Sequence, residues 1–176
     1  LNALLRELWD QAQPACDARG IAFSFAPTPA PVYTAADGSL LTRAIHNLLS
    51  NSMKFSPGRE IGLELQRSGK LYRIRFRDPG GVLPPDPFTR YLREPGLEDP
   101  RCGLGMGMQL VRSAAIAHGG TVLMTSLPGG GLLTELRLPI RQESTVRSPR
   151  RSFSYTGERD TLLVELSDVL PPEFYK

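Results

Sequence analysis

The chain has 176 residues, 40% of them apolar, and a formal net charge of +3, which suits one domain with a real core plus a tail. The charge is mild and scattered and only 7% of residues are aromatic, so no nucleic-acid groove is outlined. Cys16 and Cys102 form neither a metal pattern nor a disulfide framework and suit a reducing cytosol; no apolar run approaches the ~20 residues of a membrane span, and no signal peptide is visible.

Residues 1–18 read as an amphipathic helix with Leu4, Leu5, Leu8, Trp9 and Ala12 on one side, stopped by Gly20. Short strands are predicted at 21–25 and 31–34, separated by proline-rich APTPAP. A helix is predicted over 38–55, with Asp37 as its N-cap. In that helix Asn47, Asn51 and Lys54 fall on one stripe at about 100° per residue. Leu41, Ile45, Leu48, Leu49 and Ser52 fall on the opposite stripe, ready for a core. Amide oxygens are hard ligands suited to magnesium, and an ammonium suits the phosphates that magnesium accompanies. Taken alone, such a stripe is more often a solvated helix face.

Ile61–Arg67 and Leu71–Arg77 are predicted as a hairpin about Ser68-Gly69. In the second strand Tyr72, Ile74 and Phe76 point one way and Arg73, Arg75 and Arg77 the other. It feeds Asp78-Pro79-Gly80-Gly81-Val82, which is either a plain turn or a carboxylate placed to accept a hydrogen bond from an exocyclic amine such as that of adenine. Residues 79–102 are irregular, and a loop of that length points to function. Gly103-Leu104-Gly105-Met106-Gly107-Met108 then opens a helix over 106–117 with an apolar stripe of Met108, Val111, Ala114 and Ala115. Glycines let a backbone approach an anion closely, and the helix start offers N–H groups and a positive dipole end. The spacing is not a Walker A loop, since no Gly-Lys-Ser/Thr follows, and no clear strand precedes it as a Rossmann fingerprint requires. Strands at 121–126 and 132–138, joined by Leu127–Gly131, complete the pattern. Helices on one face of a mixed sheet give a two-layer α/β sandwich. Residues 141–159 are polar and basic and read as a flexible linker. Residues 160–176, DTLLVELSDVLPPEFYK, turn apolar again and are expected to pack on the domain or on a partner.

The order of these pieces resembles the ATP-binding domain of sensor histidine kinases, in the GHKL superfamily that also holds gyrase and MutL ATPases. Residues 44–57 resemble its N box, Asp78–Val82 its G1 box and Gly103–Met108 its G2 box. His118-Gly119-Gly120-Thr121 and the strand 132–139 resemble its usual ending. The resemblance covers residues 1–140 and implies a Bergerat-type ATP-binding fold. It implies that Asn47 and Asn51 contact Mg²⁺ and the phosphates and that Lys54 touches the phosphates. Asp78 would recognise the adenine amino group, with Gly80 or Gly81 allowing close approach. Gly103, Gly105 and Gly107 would wrap the triphosphate. Residues 83–102 would form the ATP lid, with Phe88 as the remnant of its phenylalanine motif and Arg93 and Arg101 as cations for the γ-phosphate.

Within the superfamily, hydrolysing members carry a glutamate four residues before the second asparagine. This chain has Asn47 there, and an amide cannot take a proton from water. Phosphoryl transfer to a positioned acceptor needs mainly alignment and charge neutralisation, so Asn47 favours a kinase over an ATPase. Neither His46 nor His118 is followed by an acid, as the acceptor histidine of this family is. His118 reads instead as a helix C-terminal residue that favours the dipole. The substrate histidine is expected on an upstream dimerisation hairpin of a larger homodimeric, receptor-like protein that starts before Leu1, with a response regulator as partner. This chain would be its cytoplasmic part, whether or not the parent is anchored in a membrane. One departure stands out. The family's G1 box is Asp-x-Gly-x-Gly, and Asp78-Pro79-Gly80-Gly81-Val82 lacks one residue between the glycines, with a proline that fixes φ and removes a donor. Two further readings therefore stay open: a degenerate, non-catalytic signalling module, and a serine kinase of the anti-sigma type.

Overall fold

This computed structural model describes residues 1–30, 34–55, 60–83, 85–88 and 106–141. In chain order the elements are α1 (Asn2–Ala18), β1 (Phe23–Ala26), α2 (Gly38–Phe55), β2 (Ile61–Ser68), β3 (Leu71–Asp78), α3 (Gly107–Ala117), β4 (Thr121–Ser126) and β5 (Leu132–Pro139). The strands form one five-stranded sheet in the order β1-β2-β3-β5-β4. β1 runs parallel to β2, and the remaining pairs are antiparallel.

Period-two patterning sets the two faces of the sheet. Ile61, Leu63 and Leu65 on β2, Tyr72, Ile74 and Phe76 on β3, and Leu136 and Leu138 on β5 are buried against the helices. The opposite side carries Glu64, Arg73, Arg75, Arg77, Glu135 and Arg137, paired in register across the strands. The helices roof the apolar side, giving the expected two-layer sandwich. Leu5, Leu8 and Ala12 of α1, Leu41, Ile45 and Leu49 of α2, and Val111 and Ala114 of α3 join one core with those strand residues. Each fully buried aliphatic side chain there contributes about 1.5–3 kcal/mol. α1 is also tied to β1 by side chains, since Trp9 Nε1 and Gln13 Nε2 both donate to Phe23 O at 2.8 Å. Among the described residues no helix is long and apolar enough to cross a membrane.

Helix ends follow their local chemistry. α1 closes with Gly20 at φ +64°; Gly20 N donates to Asp17 O and Ile21 N to Cys16 O. α3 closes the same way: Gly119 N donates to Ile116 O and Gly120 N to Ala115 O, both at 2.8 Å. This is the Schellman pattern, which satisfies the last carbonyls of a helix. At the start of α2, Asp37 Oδ1 accepts from Leu40 N at 3.0 Å, as an N-cap should. Burial pushes the Cys16 thiol up to about 12, with Asp17 adding to the shift.

Three details differ from the sequence expectation. β1 starts at Phe23 rather than residue 21, because Ile21 is occupied in capping α1. The β2–β3 loop is Gly69-Lys70, with Ser68 paired to Leu71, so β2 gains a residue at the loop, while β3 gains Asp78 at its far end, paired with Leu132; Gly69 takes φ +60°, the conformation that places glycine first in such loops. Of the predicted strand 31–34, only Thr34 is described, and it lies in no strand.

His118 has a more specific role than a charge on a dipole. Its Nε2 accepts from Asp37 N at 2.9 Å, so the proton sits on Nδ1, which donates to Ala114 O at 2.6 Å. A neutral imidazole thus straps the end of α3 to the start of α2, and it is buried. Replacing His118 by alanine strands the Asp37 N–H and should cost about 1–3 kcal/mol. Urea unfolding of the full chain should show the drop as a lower midpoint at unchanged slope.

Candidate functional site

The C-terminal half of α2 is almost wholly enclosed. Ala44, Ile45, His46, Leu48, Leu49, Ser50, Ser52 and Met53 are all buried, while Asn47, Asn51 and Lys54 are half-buried. On that stretch of an otherwise sealed helix, the three predicted polar residues share the one stripe that reaches outward. A merely solvated helix face would be wider.

That stripe meets the start of α3. A Cβ on Gly107 would sit 2.6 Å from Asn47 Oδ1, far inside ordinary contact, so a side chain here would have to push the Asn47 amide out of its present position. Asn47 Nδ2 donates to Arg43 O at 2.9 Å, which turns the amide so that its oxygen faces α3. One turn on, Asn51 Nδ2 lies 3.6 Å from Met108 Sδ. The first turn of α3 has no side-chain cap and no acidic residue, so its positive end is unneutralised by its own sequence. Lys54 follows on the same stripe one turn beyond Asn51.

Asp78 ends β3 beside the same helix. It is 6% exposed, and its oxygens are held from two sides. Ser52 Oγ donates to Oδ2 at 2.7 Å and Gly80 N donates to Oδ1 at 3.0 Å. The shortened Asp-Pro-Gly-Gly turn is built on close approach. Gly81 N donates to Asp78 O at 3.0 Å. A Cβ on Gly81 would lie 2.8 Å from Leu132 Cβ and 3.0 Å from Asp78 Oδ2. From the other side Gly131, at φ +102°, admits Pro79: a Cβ there would lie 2.7 Å from Pro79 Cα. The turn is thus packed closely through glycine on both sides.

Asn47, Asn51 and Gly107 come together directly, and Ser52 links their helix to Asp78, with Gly80 and Gly81 completing that turn. Arg93, Arg101, Gly103 and Gly105 lie outside the described residues, as does most of the predicted lid 83–102. Phe88, which is described, lies with its ring 5.8 Å from the Arg112 guanidinium on α3, a cation–π separation. Ser52 was expected only as part of the core stripe. A polar residue in a buried apolar row needs a partner, and that is the signal that marks it. Gly131 carried no such signal, because its role appears only when β5 is brought beside Asp78. A cavity of about 730 Å³ exists elsewhere, between Ala26–Ala30 and the Tyr72 end of the sheet, and none of the site residues lines it.

A mixed sheet roofed by helices, with an amide stripe facing a glycine-opened helix and a buried aspartate beside it, defines the two-layer sandwich of ATP-binding domains. The chain belongs to the family described as histidine kinase-, DNA gyrase B-, and HSP90-like ATPase, which matches residues 36–142. It is similar to the sensor histidine kinase CusS of Escherichia coli (strain K12), 31% identical over 126 residues, 68% of this chain and 26% of that protein. It is similar to the histidine protein kinase DivJ of Caulobacter vibrioides, 30% identical over 129 residues, 70% of this chain and 22% of that protein. The chain therefore spans about a quarter of the length of these relatives. Among solved structures, the mycobacterial sensor histidine kinase MprB aligns with a TM-score of 0.62 at 26% identity, covering 79% of this chain and 96% of that one. The catalytic domain of the histidine kinase ThkA aligns with a TM-score of 0.69 at 18% identity, covering 80% and 93%, which speaks for the fold. The region matched is that of a histidine kinase catalytic domain.

Proposed function

We propose that this domain binds Mg-ATP between α2, α3 and the Asp78 turn and transfers the γ-phosphoryl group to a histidine on a dimerisation domain of its parent protein. The observation that carries this reading is the abutment of Asn47 and Gly107, which aims an amide oxygen at the uncapped start of α3. Asn47 and Asn51 are the residues that would hold Mg²⁺, since amide oxygens are suitable hard ligands. The ion, when bound, neutralises charge developing on the transferred phosphoryl group. The N-terminus of α3 and Lys54 attract the phosphates. Asp78, held by Ser52 and Gly80, accepts from the adenine amino group. Asn47, standing where a hydrolase needs a base, leaves water unactivated, so the terminal phosphoryl is kept for a positioned acceptor. Gly103, Gly105, Arg93 and Arg101 belong to the same proposal as the phosphate wrap and lid cations.

A response regulator that takes the phosphoryl group onward, a homodimeric parent and a cytoplasmic location complete the reading, supported by the relatives' being sensor kinases. Residues 1–140 are taken as the ATP-binding domain, 141–159 as linker and 160–176 as a separate apolar segment.

Thermal unfolding of the full chain, with and without a non-hydrolysable ATP analogue and Mg²⁺, tests binding. At ~100 times its dissociation constant the ligand should add about 2.7 kcal/mol of stability. No shift at millimolar nucleotide would favour a signalling module that has lost its ligand through the altered turn.

A further inference from the structure

The outer face of the sheet is a large surface that the nucleotide proposal does not use. Arg73, Arg75, Arg77 and Arg137 outnumber Glu64 and Glu135 there. Arg75 sits between two acids in register, Glu64 on β2 and Glu135 on β5, with Nη1 3.0 Å from Glu64 Oε2 and Nε 3.4 Å from Glu135 Oε2. Glu135 is further paired with Arg137. Arg73 stands directly opposite Arg137, a like-charge pair that destabilises a sheet unless something neutralises it.

This face is less open than its position implies. The helices pack on the other side, yet Glu135 is only 7% exposed. Arg73 Nε is buried and has no hydrogen-bond partner among the described residues. Arg75 Nε is buried as well, at ion-pair distance from Glu135 without hydrogen-bond geometry. Buried guanidinium nitrogens ask for acceptors. Beside them lie Leu123, 40% exposed, and the half-buried Leu133, so the surface that would satisfy them is both acidic and apolar.

Residues 160–176 carry that chemistry in their sequence. Residues 160–176 hold Asp160, Glu165, Asp168 and Glu173 against a single Lys176, interleaved with Leu162, Leu163, Val164, Leu166, Val169 and Leu170. The geometry of exit fits as well. β5 is an interior strand, so the chain leaves the sheet away from either edge, with Ile140 N donating to Lys70 O and Arg141 N to Thr34 Oγ1. A coil over 141–159 reaches roughly 20–25 Å, while the span of five strands is about 19 Å. We propose that residues 160–176 dock in cis on the outer face of the sheet, their carboxylates meeting the Arg73, Arg75 and Arg137 row and their leucines covering Leu123 and Leu133. The tail then occupies that surface and keeps other acidic partners from it.

Limited chymotrypsin digestion of the full chain, followed by mass spectrometry, reads the docking as slow cleavage within 160–176. Arg73→Glu with Arg137→Glu should speed that cleavage about tenfold, and so should moving from low to ~1 M salt, which screens exposed charge pairs. Reversing the tail alone, Glu165→Lys with Asp168→Lys, should speed it equally without touching the folded domain, so the test stands even if the sheet variant misfolds. Combining the two reversals should restore slow cleavage. Unchanged cleavage in the tail-reversed chain overturns the proposal. So does protection that grows with chain concentration, since that places the tail on a second copy.

Discussion

Replacing Asp78 by asparagine should weaken Mg-ATP binding by roughly 10- to 100-fold, because a hydrogen bond to a charged group contributes about 1.5–3 kcal/mol. The substitution is nearly isosteric, and the local bonds dictate how the amide must sit. Gly80 N donates to Oδ1 at 3.0 Å, so the amide oxygen is kept on that side. The NH₂ then falls where Oδ2 accepts from Ser52 Oγ at 2.7 Å, and the hydroxyl can rotate to accept instead. The turn survives, and stability should change by no more than about 1 kcal/mol, the size of one net hydrogen bond. An incoming adenine amino group, however, meets a donor in place of an acceptor. Preference for adenine over guanine should fall with affinity, because guanine's carbonyl no longer faces a carboxylate. Calorimetric titration with the two non-hydrolysable nucleotides checks both effects. Retained discrimination in the variant removes Asp78 from base recognition.

Much of this architecture is legible in the chain because short-range chemistry decides it. α2 begins after Asp37 and runs over Gly38–Phe55 as its cap and periodicity predict. The arginine and aromatic alternation of β3 gives its two faces directly. What eludes the sequence depends on distant partners. Ile21 leaves the strand because α1 claims its N–H. Ser50 and His46 look polar enough for solvent, yet α2 is enclosed on nearly every side. Ser52 reads as a small core residue until Asp78 arrives from β3, 26 residues later. The same holds for the G1 turn. A short turn with a proline looks like damage in the sequence, but Gly81 against Leu132 and Gly131 against Pro79 show a turn packed closely from both sides. The candidate site residues Asn47, Asn51 and Gly107 were singled out by family resemblance and helical spacing. Their contact was not, since it depends on how two helices far apart in sequence cross.

That crossing makes the sharpest demand on Asn51. Replacing it by alanine should leave the unliganded protein as stable as before, or slightly more so. The side chain is half-buried, and its one described contact is a weak one, Nδ2 to Met108 Sδ at 3.6 Å. Alanine is also the better helix former, by a few tenths of a kcal/mol. Little strands when Asn51 goes, because a thioether asks for no hydrogen bond. Binding is another matter. If Asn51 supplies an oxygen to Mg²⁺, its loss leaves Asn47 as the only amide ligand on the stripe, and affinity for Mg-ATP should fall at least 100-fold, or about 2.7 kcal/mol at ~1.4 kcal/mol per factor of ten. The stabilisation expected of the parent chain should therefore fall from about 2.7 to about 0.4 kcal/mol or less at the same nucleotide concentration, with the unliganded melting curve unmoved. That separation distinguishes a ligand-binding residue from a structural one, since a packing role would lower both curves together. An Asn51→Ala chain that gains full stability from Mg-ATP would mean that the nucleotide, if bound, lies on a different face of α2.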